Sequence, residues 1–393
     1  MKNYQRFLKI CLSILFAAVA IHPVCGQNEL TITREVPVIG NSKPIPISLE
    51  GFSGDVADVL KFDLYVQGFS FVAPEAAQYQ ISGTAAGSVQ GRVVDRIAKS
   101  TILSHSYTGA SLRRQAHTFA DDIVQAITHK KGIAQTQIAF KAQSSTGNGE
   151  IYVADFDGYN PQSITHDDTI VAAPAWVPGR LAVYYTSYKR GNPDIFYHNL
   201  GTGQRQVVAG YSGLNTSAAV SPDGSKVAMI LSRSGSPNVW VCNADGTDLK
   251  RLTTSSEDSS PCWSPDGQWI CFATKIAERR VLAKVPAGGG AMQQIPTPGA
   301  PNPTEPDWSP DGKWIAFTSQ TAEFDICVVP ASGGAPTVLV VGEDPSWSPN
   351  SRTLILTRRT GGRYVLSVLD VFTKQVKDIA RISGSDSQPA WAR

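Results

Sequence analysis

The chain has 393 residues, of which 42% are hydrophobic and 17% are charged, and its formal net charge is +2. A charge this close to zero gives no electrostatic reason to expect binding to nucleic acid or to an anionic membrane surface. The length is typical of two domains, and the 34 glycines and 25 prolines indicate a chain with many turns.

The first 26 residues have the pattern of a secretory signal peptide. Three basic residues within the first nine precede the apolar run Ile10–Ile21, which is too short to span a bilayer. The small and modest residues Val24–Gly26 suit cleavage before Gln27, whereas the residues before Cys25 are poor for lipid attachment. We therefore expect an exported protein, and a retained membrane anchor is the alternative interpretation.

Residues 27–135 predict a small α/β domain. A helix is predicted from Asp55 to Val66, and a clearer one from Ser111 to Lys130, where apolar residues recur at steps of 4, 3, 4 and 4. Ser111 is the expected N-cap, and Gly132 is expected to stop this helix. Strands are predicted around these helices, at 30–39, 44–49, 69–72, 79–83 and 102–103.

From residue 136 onwards the chain repeats a hairpin with a Trp-Ser-Pro-Asp-Gly turn. Ser, Pro, Asp and Gly in this order favour a type I turn. The Trp, or Val220 in its place, recurs at positions 176, 220, 263, 308, 347 and 391, which are 44, 43, 45, 39 and 44 residues apart. A period of about 40–45 residues with short strands is typical of propeller blades. Six apolar runs fit second strands and six fit third strands, which predicts a six-bladed β-propeller over residues 136–393.

The two ends of the repeat region complement each other. The first repeat lacks a Trp-bearing first strand, and the chain ends on such a strand with nothing after it. We expect residues 388–393 to pair into the first blade and close the ring, because closure removes exposed strand edges. The predicted fold class is therefore mainly β, with the propeller preceded by the small α/β domain.

Four cysteines follow the predicted cleavage point: Cys242, Cys262, Cys271 and Cys327. All four lie in apolar, strand-like runs. Cys262 and Cys271 fall on neighbouring strands of one hairpin, which is compatible with a disulfide in an oxidising compartment. Four buried free thiols are the expectation. There is no C-x-x-C motif and the histidines are scattered, so we expect no zinc site.

Catalytic motifs are missing from the sequence. No complete G-x-S-x-G motif of a serine hydrolase is present. The six histidines do not cluster by spacing, and His117 is expected to have a structural role. Asp223, Asp266 and Asp311 recur at the same turn position, which indicates turn geometry and not metal binding or acid catalysis. We expect no enzymatic activity, no cofactor and no metal.

An exported α/β domain followed by a six-bladed propeller with these hairpins resembles the TolB family of the Tol–Pal envelope system. Leu112–Asp121 is similar to the family's R-x-x-A-H-x-x-A-D helix, and Lys131–Ala134 followed by Gln137–Phe140 is similar to its junction with the first blade. The resemblance covers nearly the whole chain after residue 26. The chain departs from the family in a compact stretch at 76–109 and in the loss of Trp at Val220.

In a propeller, the loops that lead into the innermost strands converge on the central axis and form the mouth of a channel. Here these loops are polar and rich in carboxylates, which suits a protein partner with basic and polar groups. The resemblance implies that the mouth receives Pal, the peptidoglycan-associated lipoprotein. Leu214 stands where the family has a partner-binding histidine, and Ser259 where it often has Thr. The candidate Pal-binding residues are Asp168, Leu214, Asn215, Glu257, Asp258, Ser259, Asn302, Thr304, Glu305, Glu343, Asp344, Asp386 and Gln388.

The segment from Gln27 to Ile39 is a second candidate site. The resemblance implies that such a strand engages the inner-membrane protein TolA and that its docking is coupled to Pal binding. An extended segment supplies free backbone groups for strand addition, although an ordinary edge strand of the first domain is an open alternative. The candidate TolA-binding residues are Glu29, Leu30, Ile32, Arg34 and Val36.

Together these features predict a periplasmic, monomeric and non-enzymatic adaptor of TolB type, which supports outer-membrane integrity and envelope constriction at cell division. Two alternatives remain open. One is a lactonase-like propeller enzyme with calcium held by Asn302, Glu305 and Asp344. The other is a propeller that binds a sugar or a short peptide.

Overall fold

The computed structural model describes residues 38–143, 148–255, 257–379 and 384–393. The predicted signal peptide, residues 1–26, lies outside these ranges, as do the candidate TolA-binding residues Glu29, Leu30, Ile32, Arg34 and Val36. The α/β part contains helices α1 (Gly54–Tyr65) and α2 (Leu112–Thr128) and strands β1 (Ile45–Glu50), β2 (Phe69–Phe71), β3 (Tyr79–Thr84), β4 (Val89–Asp95) and β5 (Ser100–Tyr107).

The α/β part is a five-stranded sheet in the order β2-β1-β3-β4-β5, and two helices pack on it. Strand β1 is parallel to β2 and β3, and the other pairs are antiparallel. Helix α2 begins after Ser111, whose Oγ accepts a hydrogen bond from the N–H of Arg114 at 3.3 Å. It ends two residues before the predicted Lys130, because His129 adopts the left-handed conformation with φ of 58°.

The propeller strands that the structure describes form six four-stranded sheets, which confirms the predicted fold class. The strands of each blade are given from the innermost outwards. Blade 1 contains β29 (Ser385–Trp391), β6 (Gln137–Gln143), β7 (Gly149–Asp155) and β8 (Gln162–Ser163), and blade 2 contains β9 (Val171–Trp176), β10 (Ala182–Ser187), β11 (Asp194–Asn199) and β12 (Arg205–Ala209).

Blade 3 contains β13 (Asn215–Val220), β14 (Lys226–Leu231), β15 (Asn238–Asn243) and β16 (Lys250–Arg251), and blade 4 contains β17 (Ser259–Trp263), β18 (Trp269–Ile276), β19 (Arg279–Pro286) and β20 (Gln293–Ile295).

Blade 5 contains β21 (Pro303–Trp308), β22 (Trp314–Gln320), β23 (Phe324–Pro330) and β24 (Thr337–Val341), and blade 6 contains β25 (Glu343–Trp347), β26 (Thr353–Thr360), β27 (Arg363–Asp370) and β28 (Val376–Ile379).

Blade 1 is assembled from both ends of the propeller sequence. Strand β29 pairs antiparallel with β6, so that Trp391 lies opposite Ile138. The repeated tryptophans also join neighbouring blades. The indole N–H of Trp263 donates to the carbonyl of Ala219 at 2.9 Å, and that of Trp347 to the carbonyl of Asp307 at 3.1 Å. In blades 4 and 6, the residue that marks the repeat in the sequence therefore bonds to the preceding blade.

The α/β part and blade 1 share one hydrophobic core. The ring of Phe156, in the turn after β7, lies 5.7 Å from the ring of Phe62 in α1 and 6.2 Å from that of Trp391 in β29. The same buried cluster contains Phe119 and Ile123 of α2. The division at residue 135 stays a prediction, because this core continues across it. Neither helix in the described ranges is long and apolar enough to cross a membrane.

Candidate functional site

Each innermost strand carries a β-bulge at the same place. In blade 5, for example, Thr304 pairs with Thr318 and Asp307 with Ala316, so that two residues, Glu305 and Pro306, lie opposite one. The first residue of each bulge has a left-handed backbone, with φ between 50° and 55°. Bulges re-aim side chains and interrupt pairing. These six residues, which we call the channel ring, are Ala173, Ser217, Ser260, Glu305, Asp344 and Gln388.

The channel ring has a simple sequence signature. Each ring residue stands three places before the repeated Trp, or before Val220 in blade 3. Five of the six are followed by proline, which has no N–H to give to a strand ladder and is therefore found at edges and bulges. The prolines are Pro174, Pro261, Pro306, Pro345 and Pro389.

The channel ring lines a central cavity of about 520 Å³. Because the ring residues lie near the start of the innermost strands, they stand close to the mouth of the channel. Farther along, the walls include the prolines of the hairpin turns, among them Pro222 and Pro265, and the side chain of Arg393. The guanidinium of Arg393 forms an ion pair with Asp307. The cavity thus runs from a polar mouth to a wall rich in proline.

One half of the channel ring is linked by hydrogen bonds from blade to blade. The N–H of Asp344 donates to Oε2 of Glu305 at 3.0 Å, and the N–H of Gln388 donates to Oδ2 of Asp344 at 3.2 Å. The N–H of Ala173 donates in turn to Oε1 of Gln388 at 3.0 Å. Each long side chain therefore fixes the backbone of the next blade at the bulge.

The carboxylates of this half are crowded. Burial, together with the carboxylates of Glu305 and Glu343, raises the pKa of Asp344 well above its usual range. Burial and the carboxylate of Glu305 also raise the pKa of Glu343. A positive charge placed beside these groups would favour their ionised forms. The mouth on blades 5 and 6 is therefore suited to a cationic group.

The other half of the channel ring has short side chains. Ala173, Ser217 and Ser260 occupy it, on blades 2, 3 and 4. In the part of the chain that the structure describes, the N–H groups of Ser217 and Ser260 donate to no ring side chain of the preceding blade, because Ala173 and Ser217 are too short. The channel therefore has an acidic side and an opposite side with room for a bulky group.

The structure brings only part of the predicted mouth together. Glu305, Asp344 and Gln388 belong to the channel ring and line the cavity. Asn215, Asp258 and Asp386 are buried inside their blades, and so their side chains do not face the channel mouth. All three stand two places before a ring residue.

The buried polar side chains hold the loops of the mouth in place. Nδ2 of Asn215 donates to the carbonyl of Tyr211 at 2.7 Å, and Oδ1 of Asp258 accepts a hydrogen bond from Oγ1 of Thr274 at 2.6 Å. Burial raises the pKa of Asp386 to about 6. These residues therefore act on the mouth through the loops that they position.

The remaining predicted residues lie on the rim of the mouth, where Asp168, Glu257 and Asn302 are exposed, and Leu214, Ser259, Thr304 and Glu343 are half-buried. Glu257 forms ion pairs with Lys275 at 3.4 Å and with Arg280 at 3.7 Å. The guanidinium of Arg280 also donates to Oγ of Ser259 at 3.2 Å. On blade 4 the rim is therefore a network of charges and not an isolated carboxylate.

Sequence reasoning missed a cation on the rim of blade 3. The guanidinium of Arg233 lies 4.3 Å from the ring centroid of Tyr211 and 5.4 Å from that of Trp240. The neighbouring loop is fixed where the N–H of Leu214 donates to Oγ of Ser232 at 2.7 Å. Nothing in the spacing of these residues indicates the stack, because they come from separate strands and loops.

Among the described residues, no group of three or more His, Cys, Asp or Glu side chains is placed to hold a metal ion. His117, which has no part in the mouth, is buried and lies against Asp63, as the structural interpretation predicted.

The comparisons with known proteins point to one family. A family model described as the TolB beta propeller domain matches residues 124–393. The Tol-Pal system protein TolB of Bordetella pertussis is 30% identical over 310 residues, which are 77% of this chain and 70% of that protein. The protein of the same name from Desulfosudis oleivorans is 34% identical over 188 residues, which are 46% of this chain and 42% of that protein.

A solved structure agrees with this result. The crystal structure of TolB from Acinetobacter baumannii matches with a TM-score of 0.81 and 21% identity, over 90% of this chain and 98% of that chain. At this level of identity the likeness shows the fold alone.

Proposed function

The chain belongs to the TolB family, and on this basis we propose that it is a non-enzymatic adaptor of the Tol–Pal system that works in the periplasm. It binds Pal at the mouth of the propeller, and it binds TolA through the segment that contains Glu29, Leu30, Ile32, Arg34 and Val36. Through these contacts it supports outer-membrane integrity and envelope constriction during cell division.

The observation that carries this proposal is the unequal distribution of side chains around the channel ring. The half-buried side chains of Glu305 and Asp344 hold carboxylate oxygens on one side, where the pKa of Asp344 is raised by burial and by neighbouring carboxylates. A lysine, an arginine or a hydrogen-bond donor of a partner would relieve this crowding. The short residues Ser217 and Ser260 leave space on the opposite side for an apolar or aromatic group. A protein segment with both kinds of side chain fits such a socket.

Contacts at the start of the described chain support a link between the proposed TolA-binding segment and the propeller that carries the proposed Pal site. The N–H of Gly40 donates to the carbonyl of Val371 at 2.8 Å, and the N–H of Ser42 to the carbonyl of Phe372 at 3.0 Å. Ile39 is buried against blades 5 and 6. The proposed TolA-binding segment therefore continues directly into residues attached to the propeller. Binding at one place can alter affinity at the other only if the two bound states differ in such contacts.

Calorimetric titration with Pal from the same organism tests the proposal. Glu305→Gln and Asp344→Asn are expected to weaken binding at least about tenfold, because each removes a carboxylate with which a cationic group of Pal would pair. Asp248→Asn is the matched control: Asp248 is also acidic and left-handed, with φ of 54°, but it lies in an exposed turn after the third strand of blade 3. Unchanged affinity in both ring variants would count against the socket.

A second measurement separates the adaptor from the calcium-dependent enzyme. The protein is dialysed against metal-free buffer and its bound ions are measured. One divalent ion per chain that is lost in Asp344→Asn, together with no measurable binding of Pal, would favour the enzyme. Binding of Pal by the metal-free protein favours the adaptor.

A further inference from the structure

Two cysteines face each other across the two innermost strands of blade 4. Cys262 in β17 and Cys271 in β18 are direct partners in the antiparallel register of blade 4. Both are free and buried, and the thiol of Cys271 is close enough to raise the pKa of Cys262. Each side chain therefore lies within reach of the other without any change in strand pairing.

This placement meets the geometric requirement for a disulfide. Opposed residues of antiparallel strands have Cα atoms about 4.5–5.5 Å apart. Disulfides join Cα atoms that are about 4.4–6.8 Å apart. Because the two cysteines are already direct cross-strand partners, bond formation needs mainly a rotation of the side chains.

The two cysteines differ in access. Cys262 lines the central cavity and is 7% exposed, whereas Cys271 is 0% exposed and lies between blades 4 and 5. A small reagent that enters the channel therefore reaches Cys262 first, and Cys271 stands behind it as the second thiol.

We propose that Cys262 and Cys271 form a dithiol site that a small disulfide oxidises to a cross-strand disulfide. In the first step the Cys262 thiolate attacks one sulfur of the reagent, so that a mixed disulfide forms and one thiolate leaves. In the second step the Cys271 thiolate attacks Sγ of Cys262, closes the bridge and releases the second thiolate. The reagent gains two electrons and, with the two protons of the cysteines, leaves as two thiols.

The surroundings of Cys262 make the first step slow. Burial, the neighbouring thiol of Cys271 and the carboxylate of Asp307 raise the pKa of Cys262 well above its usual range. Thiolate is the attacking species, and so little of it is present at neutral pH. We therefore expect oxidation on a scale of hours, with a rate that increases with pH.

The chain contains its own controls. Cys242 and Cys327 are also deeply buried, with 1% of each residue exposed. Cys242 faces Val227 across the sheet, and Cys327 faces Phe317. A reagent that merely oxidises accessible or unfolded protein should treat these two cysteines no differently from the facing pair.

The test incubates the folded protein with oxidised glutathione, quenches with acid, and alkylates the remaining thiols in denaturant before digestion with trypsin. Cys262 and Cys271 share one tryptic peptide, Leu252–Lys275, while Cys242 and Cys327 lie in two others. We expect the shared peptide to lose both alkylation sites and two hydrogens, and the other two peptides to keep one alkylation site each. If the shared peptide keeps both sites after days, or if all four cysteines react equally, the proposal is wrong.

The order of attack is tested separately with Cys271→Ser and Cys262→Ser. The first variant should accumulate a glutathione adduct on Cys262, and the second should leave Cys271 unmodified. An adduct on Cys271 in the second variant at an equal rate would overturn the assigned order. If either variant does not fold, the experiment on the unaltered chain still decides whether the disulfide forms.

Discussion

Nδ1 of His117 lies 2.7 Å from Oδ2 of Asp63, in the core that joins the α/β part to the propeller. Further charges surround this pair. Nε2 of His117 is 4.0 Å from Asp157 of blade 1, and Arg113 forms ion pairs with Asp157 and, at 2.8 Å, with Asp55. Helices α1 and α2 are therefore attached to the propeller by charges as well as by apolar contacts.

We expect the stability of the protein to decrease as the pH rises through about 7. Burial raises the pKa of Asp63 to about 7, with smaller contributions from Asp157 and Asp121. Burial opposes protonation of His117, but the carboxylates of Asp63 and Asp157 outweigh it and raise the pKa of His117. The folded protein therefore holds more protons than the unfolded chain, in which Asp and His titrate near 3.9 and 6.5. Stability conferred by such groups is present at lower pH and lost as they deprotonate.

Urea unfolding at about pH 6 and about pH 8 measures this effect. One extra proton bound by the folded state corresponds to a loss of about 1.4 kcal/mol for each pH unit. In Asp63→Asn the decrease should be smaller, because Asp63 no longer titrates and the carboxylate that raises the pKa of His117 is gone. Equal pH dependence in both proteins would show that the pair does not carry the extra proton.

Arg113→Ala should destabilise the protein by about 3 kcal/mol or more, because it leaves Asp157 buried beside Asp63 without its partner. It also removes the guanidinium that lies 4.2 Å from the ring centroid of Tyr159. Arg114→Ala is the matched control, since Arg114 is the next residue on the same helix and is exposed. Its effect should stay within about 0.5 kcal/mol. Equal midpoints for the two variants in urea unfolding would refute the role of Arg113.

Trp391→Ala should lower the free energy of unfolding by about 3–5 kcal/mol, as expected for loss of a buried Trp. The Trp391 indole N–H donates to Oγ1 of Thr136 at 2.8 Å, and its ring packs on Phe156. Tyr364→Ala, at a residue 40% exposed, is the control. Thermal melting gives the comparison. Deletion of residues 388–393 should lower the melting temperature further, and an unchanged melt would contradict closure of the ring by β29.

Glu305→Gln should lower the pKa of Asp344. The glutamine keeps an oxygen for the N–H of Asp344 but removes one of the charges that raise this pKa. Carboxyl-carbon NMR titration follows Asp344 directly. In Glu257→Gln, a change on the exposed rim of blade 4, the titration of Asp344 should not move. A pKa that is the same with and without Glu305 would show that Glu305 does not contribute to the shift.

The architecture could be predicted from the sequence, because each blade repeats a similar run of residues at a spacing that is visible along the chain. The repeated Trp positions predicted six blades, and the unmatched first strand at Trp391 predicted where the ring closes. One strand of the α/β part, β4, was not predicted, since Gly91 interrupts its apolar alternation. The end of α2 was misplaced because His129, not a glycine, takes the left-handed conformation.

The site was harder to predict, because its geometry depends on the bulges. Asn215 and Asp258 stand in the polar loops and were reasonable candidates for the mouth. In the folded chain the bulge turns the side chain of the residue two places after each of them towards the channel. Asn215 and Asp258 themselves are buried inside their blades. The left-handed position has no fixed residue type, so that Ala173, Ser217 and Ser260 gave no chemical signal. The spacing of three residues before each Trp would have located them.

The left-handed position at each bulge has a consequence for divergence among propellers of this kind. Backbone pairing and an adjoining proline set its shape in most blades, and residues as unlike as alanine, glutamate and glutamine occupy it in this one chain. Substitution at these six positions can therefore change which ligands the central cavity binds, while the six sheets around it stay the same. New binding specificities can arise by substitution in one blade at a time, without a change of fold.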